Sequence, residues 1–281
     1  MVVVKTIKEV RDTVKQWRKE GLTVGFVPTM GYLHEGHQSL IRAAGENDRV
    51  VVSIFLNPMQ FGPTEDLATY PKDIERDKQK CLEAGADLIF APEVSEMYED
   101  NFQSYVDMNL LTEELCGLTR PCHFRGVCTV VIKLFNIVKP DKAYFGKKDA
   151  QQLAVIKRMV ADLNMDIEIV GCPIIREEDG LAKSSRNTYL NADERKAALV
   201  LSKAVKKAEE LTENGVRNSA EIISAMTSIV EAEPLAKIDY IKIVSLDTMQ
   251  QISSTEGGAL IAMAVYIGKT RLIDNFFYEG E

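Results

Sequence analysis

The chain has 281 residues, 46% of them hydrophobic, which allows one large core or two smaller ones. Its formal net charge of −8 and pI near 5.2 argue against broad nucleic-acid binding, so an anionic ligand must be held by a local cluster of donors. No apolar run approaches the roughly 20 residues that a membrane-spanning helix needs; five cysteines without a Cys-x-x-Cys pair point to reduced thiols in a cytoplasmic protein.

Met1 to Lys5 is too short for a signal peptide and reads as an edge strand beginning at Val2. Thr6, with Glu9 three residues on, makes a capping-box pattern. Ile7, Val10, Val14 and Trp17 then recur at helical spacing, and Gly21 ends the run. Thr23 to Val27 is β-branched and apolar, bounded by Gly21 and Pro28, as a buried parallel strand would be. Gly31 and Gly36 allow a tight turn after it. His37 to Ala44 continues as a helix, whose first N–H groups attract anions.

His34 and His37 lie three apart, so a helical turn aims both at one point. A zinc site would need His-Glu-x-x-His spacing and a third ligand, and only His123 remains in the chain. A phosphate site, with imidazoles donating to oxygens, fits strand, turn and helix together. A plain loop with two polar residues is the bland alternative.

Arg49 to Leu56 is a near-continuous apolar run, as in a strand covered on both faces. Strand, helix, strand at this spacing predicts a right-handed parallel unit, with ligands beyond the carboxyl ends of the strands. Asn57 to Pro63 falls there as a turn, where Asn57 and Gln60 offer both donors and acceptors. A helix is predicted from about Ile74 to Ala84, stopped by Gly85, then a strand from Asp87 to Ala91. Glu93 to Asp100 is acidic and reads as a mobile flap. Arg120 to Val127 reads as a loop leading to an apolar helical face over Thr129 to Val138. His123 and Arg125 either line a pocket or brace it.

Pro140 to Gln152 repeats the opening logic. A strand at Ala143 to Phe145 meets Gly146, then a helix from about Asp149 to Leu163, which Asp149 can cap. Lys148 stands at the mouth of that helix, where a point cation would neutralise phosphate. Asp166 to Val170 supplies the last parallel strand. After it comes Lys183-Ser184-Ser185-Arg186, a basic, hydroxyl-rich loop of the kind that wraps a triphosphate. The role of Lys183 stays open. Composition then changes. Asn191 with Glu194, and Asn218 with Glu221, open helices reaching to about Asn214 and Glu233. Strands follow at Ile238 to Val244, Leu260 to Tyr266 and Thr270 to Phe277, with Gly268-Lys269 as the last hairpin turn.

Pro28-Thr29-Met30-Gly31 followed by His34-x-Gly36-His37 resembles the ATP-binding motif of pantothenate synthetases, in the nucleotidylyltransferase superfamily. Phe145-Gly146-x-Lys148-Asp149-x-Gln151-Gln152 resembles a second motif of that family, and Ser184-Ser185-Arg186-Asn187 a third. The resemblance implies an α/β fold: a Rossmann-like doubly wound parallel sheet over residues 1–176 and a smaller C-terminal α+β lid domain over 177–281. It implies ATP contacts from Met30, Gly31, His34, His37, Gly146, Lys148, Asp149, Ser184, Ser185 and Arg186. Of these, His34, His37, Lys148, Ser184, Ser185 and Arg186 would take part in catalysis. It also implies pantoate contacts from Asn57, Gln60 and Gln152, and Mg²⁺ at Asp77, with Arg76 standing where some members have a second acid. Pantoate, ATP and β-alanine are the implied partners, and a homodimer the implied assembly, with neither nucleic acid nor membrane involved. The expected reaction joins pantoate to β-alanine through a pantoyl adenylate, releasing pyrophosphate and AMP. A nucleotidyltransferase that keeps AMP in its product, or a non-catalytic nucleotide sensor, would share the histidine turn.

Overall fold

The computed structural model describes residues 1–280. Two compact units emerge. The first comprises Met1–Met108, Arg120–Lys147 and Val155–Pro173; the second comprises Asn109–Thr119, Lys148–Ala154 and the chain from Ile174 on. Two short segments ahead of residue 176 thus belong with the second unit.

In chain order the elements are β1 (Val2–Val4), α1 (Ile7–Lys19), β2 (Val24–Thr29), α2 (Glu35–Ala44), β3 (Arg49–Ile54), α3 (Ile74–Ala84), β4 (Leu88–Phe90) and α4 (Val94–Met97). Next are α5 (Cys116–Thr119), α6 (His123–Val138), β5 (Lys142–Gly146), α7 (Ala150–Asp162) and β6 (Glu168–Cys172). The chain continues through α8 (Ala192–Ala197), α9 (Leu199–Glu213), α10 (Ser219–Glu231), β7 (Ala236–Val244), β8 (Ala259–Ile267) and β9 (Thr270–Tyr278).

The first unit carries a six-stranded parallel sheet in the order β1-β4-β3-β2-β5-β6. Its strands are apolar on both faces because both are covered. Val27, Val50, Val52, Ile89 and Tyr144 pack with Leu40 and Ile41 of α2 and Cys81 and Ala84 of α3. On the other side, Phe26 and Phe145 meet the Phe135 ring of α6 edge-on, at centroid distances of 6.3 and 6.4 Å. Successive residues point to opposite faces, so Phe26/Val27 and Tyr144/Phe145 each serve both layers. This is the Rossmann-like doubly wound sheet expected from the sequence. The strand order reverses between neighbours β2 and β5, and such a switch point opens a crevice at the carboxyl ends of the strands.

The second unit carries the antiparallel sheet β7-β8-β9, with Gly268 at φ +56 in the last hairpin. Helices α9 and α10 cover it through Leu201, Val205, Ile222 and Met226, packed with Ile241, Ile261 and Met263. The Thr6/Glu9 and Asn191/Glu194 capping boxes both form.

Three elements differ from the expectation. The acidic stretch after β4 is anchored, not a flap: Met97 is buried and the Tyr98 hydroxyl donates to Asn57 Oδ1 at 2.8 Å. Helix α6 begins at His123, because Phe124, Val127 and Cys128 already supply its buried face. The helix expected from Asn191 to about Asn214 is two, α8 and α9. They meet at Ala198, whose carbonyl accepts from Leu201 N at 3.2 Å, an i+3 bond that tightens the turn.

Candidate active site

Beyond the carboxyl end of β2, the backbone makes two successive left-handed residues, Gly31 (φ +90) and Tyr32 (φ +51). Tyr32 would be strained there alone. Asp77, on α3 and 1% exposed, holds the turn: its Oδ2 accepts from Tyr32 N at 2.7 Å and its Oδ1 from Leu33 N at 2.6 Å. Burial pushes the Asp77 carboxyl above its ordinary value, against the pull of those two N–H groups and of Arg76. A side chain at Gly31 would press on this carboxylate, its Cβ 3.1 Å from Oδ2.

The turn delivers His34 to the N-cap of α2 and His37 to its third position. Each imidazole closes a capping bond: His34 Nδ1 accepts from Gly36 N at 3.1 Å, and His37 Nδ1 accepts from His34 N at 3.2 Å. A capping box normally uses a hydroxyl and a carboxylate or amide; here two histidines make it. Because each Nδ1 receives a backbone N–H, it bears no hydrogen, and the ring proton of each neutral imidazole resides on Nε2. The rings lie 4.1 Å apart, centre to centre. Both are therefore fixed as Nε2–H donors at a helix start, where the macrodipole also favours an anion.

After β3, Asn57 caps a single 3₁₀ turn, Pro58–Gln60. The Asn57 amide is spent internally: Nδ2 donates to Gln60 Oε1 (3.0 Å) and Gly126 O (3.1 Å), while Oδ1 accepts from Tyr98 and Met59 N. Gln60 Nε2 donates to Met30 Sδ at 3.0 Å, which ties this turn to the end of β2. Within the first unit, Met30, Gly31, His34, His37, Asn57 and Gln60 are thus linked through the turns beyond β2 and β3. Gly146 ends β5, the neighbour of β2. Of the pair read as lining or bracing a pocket, His123 braces the Gln60 turn through Gln60 O (2.9 Å), while the exposed Arg125 pairs with Asp107 at 2.6 Å.

The Asp77 carboxylate is buried and both oxygens accept backbone N–H groups. No group of three or more His, Cys, Asp or Glu that could hold a metal occurs among the described residues. Asp77 is a strut for the turn, with each carboxylate oxygen accepting one backbone N–H.

The second unit holds the remaining residues. Lys148 and Asp149 lie on a 3₁₀ turn leading into α7, which carries Gln152. Ser184 caps the 3₁₀ turn Ser185–Tyr189, its hydroxyl accepting from Arg186 N. Ser185 is buried, and Lys183 pairs with Glu177 at 3.4 Å. Strand β9 fastens both segments. Asn275 Nδ2 donates to Lys148 O at 2.7 Å. Its neighbour Asp274, 2% exposed, takes a two-pronged bond from Arg176 at 2.7 and 2.9 Å. Arg176 also donates to Gly180 O and bridges to Ala182, closing the hairpin that precedes Ser184.

Three of these fastening residues, Arg176, Asp274 and Asn275, carry no local sequence signal. Gln151 is a fourth. Buried, it accepts from Cys116 N (2.9 Å) and donates to Leu111 O (2.8 Å) and Glu114 O (2.7 Å). Of the paired glutamines, Gln151 is the structural one and Gln152 remains half-buried on α7.

The model of the family described as pantoate-beta-alanine ligase matches residues 2–277. The pantothenate synthetase of Ruminiclostridium cellulolyticum is 64% identical over 278 residues, covering 99% of each chain, and that of Enterococcus faecalis is 60% identical over 280 residues with the same coverage. Among solved structures, the pantothenate synthetase of Thermus thermophilus superimposes with a TM-score of 0.93 at 46% identity, over 98% of this chain and 99% of that one. The Francisella tularensis pantoate-beta-alanine ligase, complexed with beta-gamma ATP and beta-alanine, gives 0.82 at 35% identity over 100% and 99%. With the histidine cap placed at the switch point of a doubly wound sheet, these matches establish that the chain belongs to the pantoate–beta-alanine ligase family.

Proposed function

We propose that the chain condenses pantoate with β-alanine at the expense of ATP, through a pantoyl adenylate. The carrying observation is the pair of Nε2–H donors fixed at the start of α2 by the imidazole cap. In the first half-reaction a pantoate carboxylate oxygen attacks the α-phosphorus; the bond to the bridging oxygen breaks and pyrophosphate leaves. A carboxylate is already nucleophilic, so this step calls for alignment and charge stabilisation rather than a general base. His34 and His37 donate to phosphate oxygens, with Met30, Gly31, Gly146 and Asp149 beside the nucleotide. Lys148, Ser184, Ser185 and Arg186 neutralise the phosphate chain. Gln60 and Gln152 bind pantoate directly, and Asn57 holds Gln60 in place. In the second half-reaction the free amine of β-alanine attacks the acyl carbon, loses a proton, and AMP departs.

Magnesium enters as part of the substrate, bound to the triphosphate of ATP. The family resemblance further supports a homodimer acting in the cytoplasm. Five free cysteines accord with that compartment, and sedimentation at micromolar concentration measures the assembly.

The test is β-alanine-dependent release of free AMP from pantoate and ATP. AMP retained in the product would mean a nucleotidyltransferase, and absence of pyrophosphate release a mere sensor. In single-turnover quench-flow with radiolabelled ATP, His37→Ala and Lys148→Ala are each expected to slow adenylate formation by about a hundredfold in folded protein. Near-native rates in both remove those side chains from the mechanism.

A further inference from the structure

The Gln60 turn is held from behind by a chain of charged and polar groups. Glu65 takes two bonds from Arg120, Nε to Oε1 at 2.6 Å and Nη2 to Oε2 at 2.8 Å, and also accepts from Gly62 N. Arg120 Nη1 lies 3.0 Å from His123 Nε2, and His123 Nδ1 lies 2.9 Å from Gln60 O. The polarity of this chain is settled at both ends. A guanidinium can only donate, so Nε2 accepts; a carbonyl can only accept, so Nδ1 donates. His123 is therefore neutral with its proton on Nδ1, the opposite tautomer to His34 and His37.

We infer that His123 is a positioning residue for the hydroxy-acid subsite: its Nδ1–H, oriented by Arg120 and Glu65, fixes the Gln60 carbonyl and with it the direction of the Gln60 amide. This rests on Gln60 recognising pantoate. Among the described residues the Gln60 side chain is otherwise steered only by Asn57 and Met30 Sδ, and a thioether is a weak acceptor. Backbone orientation at residue 60 must come from elsewhere, and two donors converge on its carbonyl: His123 and, at 3.5 Å, Arg120 Nη2. A residue acting this way affects one substrate and leaves the other two alone.

The discriminating experiment is full steady-state kinetics on His123→Asn and His123→Leu, with the native enzyme in parallel. An asparagine amide can replace Nδ1–H, whereas leucine has similar bulk and no donor. His123→Leu is expected to raise KM for pantoate roughly tenfold, the effect of one hydrogen bond, with KM for ATP and β-alanine within about twofold of native. His123→Asn should recover most of that loss. If His123→Leu fails to fold, His123→Gln replaces it: its amide reaches the Nε2 position rather than Nδ1, so it should show the pantoate defect that His123→Asn does not. Equal loss for all three substrates, or no difference between the asparagine and the donor-less variants, overturns the inference while leaving the ligase reading intact. A native enzyme that makes no pantothenate overturns the ligase reading itself, and the inference with it.

Discussion

At Gly36 an added Cβ would stand 2.8 Å from His34 Cε1 and 2.9 Å from Nδ1. The glycine of His-x-Gly-His is thus required by the ring that folds back over it, rather than by backbone torsion. Gly36→Ala should displace the His34 imidazole, lower kcat by roughly the hundredfold expected for loss of one oriented donor, and forfeit up to about 1 kcal/mol of cap stabilisation. Cap and donor can be separated at His34 itself. Asparagine is among the best N-caps, so His34→Asn should keep the unfolding free energy within about 0.5 kcal/mol of native, whereas His34→Ala should cost about 1 kcal/mol. Both should lose the same two orders of magnitude in adenylate formation. Urea melts beside quench-flow separate the two roles; an active His34→Asn would assign catalysis elsewhere.

Among the elements, α6 lies tight against the Pro58–Gln60 turn at Gly126. A Cβ at Gly126 would fall 2.3 Å from Met59 O and 2.6 Å from Gln60 Cα, and both are backbone atoms that cannot swing aside. Gly126→Ala is expected to destabilise by about 2 kcal/mol, in the range for overpacking, and to raise KM for pantoate as the turn is pushed. In the second unit, Asp274→Ala would leave the partly buried Arg176 without its carboxylate. A loss of about 3 kcal/mol is expected, as for removing one partner of a buried pair, together with a higher KM for ATP because the hairpin before Ser184 loosens. Calorimetry and ATP titrations check both. Elements of this kind were unequally legible. Helix starts with a capping box and stops with glycine could be read because their cause lies within four residues. Arg176 and Asp274 are 98 residues apart, and no local pattern announces such a pair. The anchored α4 was misread because its acidic letters outvoted two residues, Met97 and Tyr98, that do the anchoring.

For the molecule as a whole, the alternation of apolar strands and capped helices made the doubly wound sheet and the smaller α+β unit readable, and the motifs fell on the expected turns. What the letters did not disclose is which polar groups face inward: Asp77, Asn57 and Gln151 are spent on backbone and neighbouring amides, though each sits inside or beside a motif. Two partly exposed carboxylates also govern acid stability. Burial would raise Glu65, but the bonds and charge of Arg120, with Gly62 N–H, outweigh it and hold its carboxyl below the ordinary value; Asp141 is likewise depressed, burial being outweighed by Arg18 and Val24 N–H. A carboxyl depressed in the fold binds its proton more weakly there than in the unfolded chain. Its stabilisation is full above the unfolded value and disappears as pH falls through the folded one. Glu65→Gln should cost about 2 kcal/mol at pH 7, and the gap to native should narrow toward pH 3 in urea melts. The chain has three histidines in all, and their hydrogen bonds assign two rings to one tautomer and the third to the other. Long-range nitrogen–proton NMR correlations of the labelled protein should accordingly contain three imidazole patterns, a matched pair and one reversed, so that the state of the α2 cap and of the Gln60 turn can be followed without a reporter group.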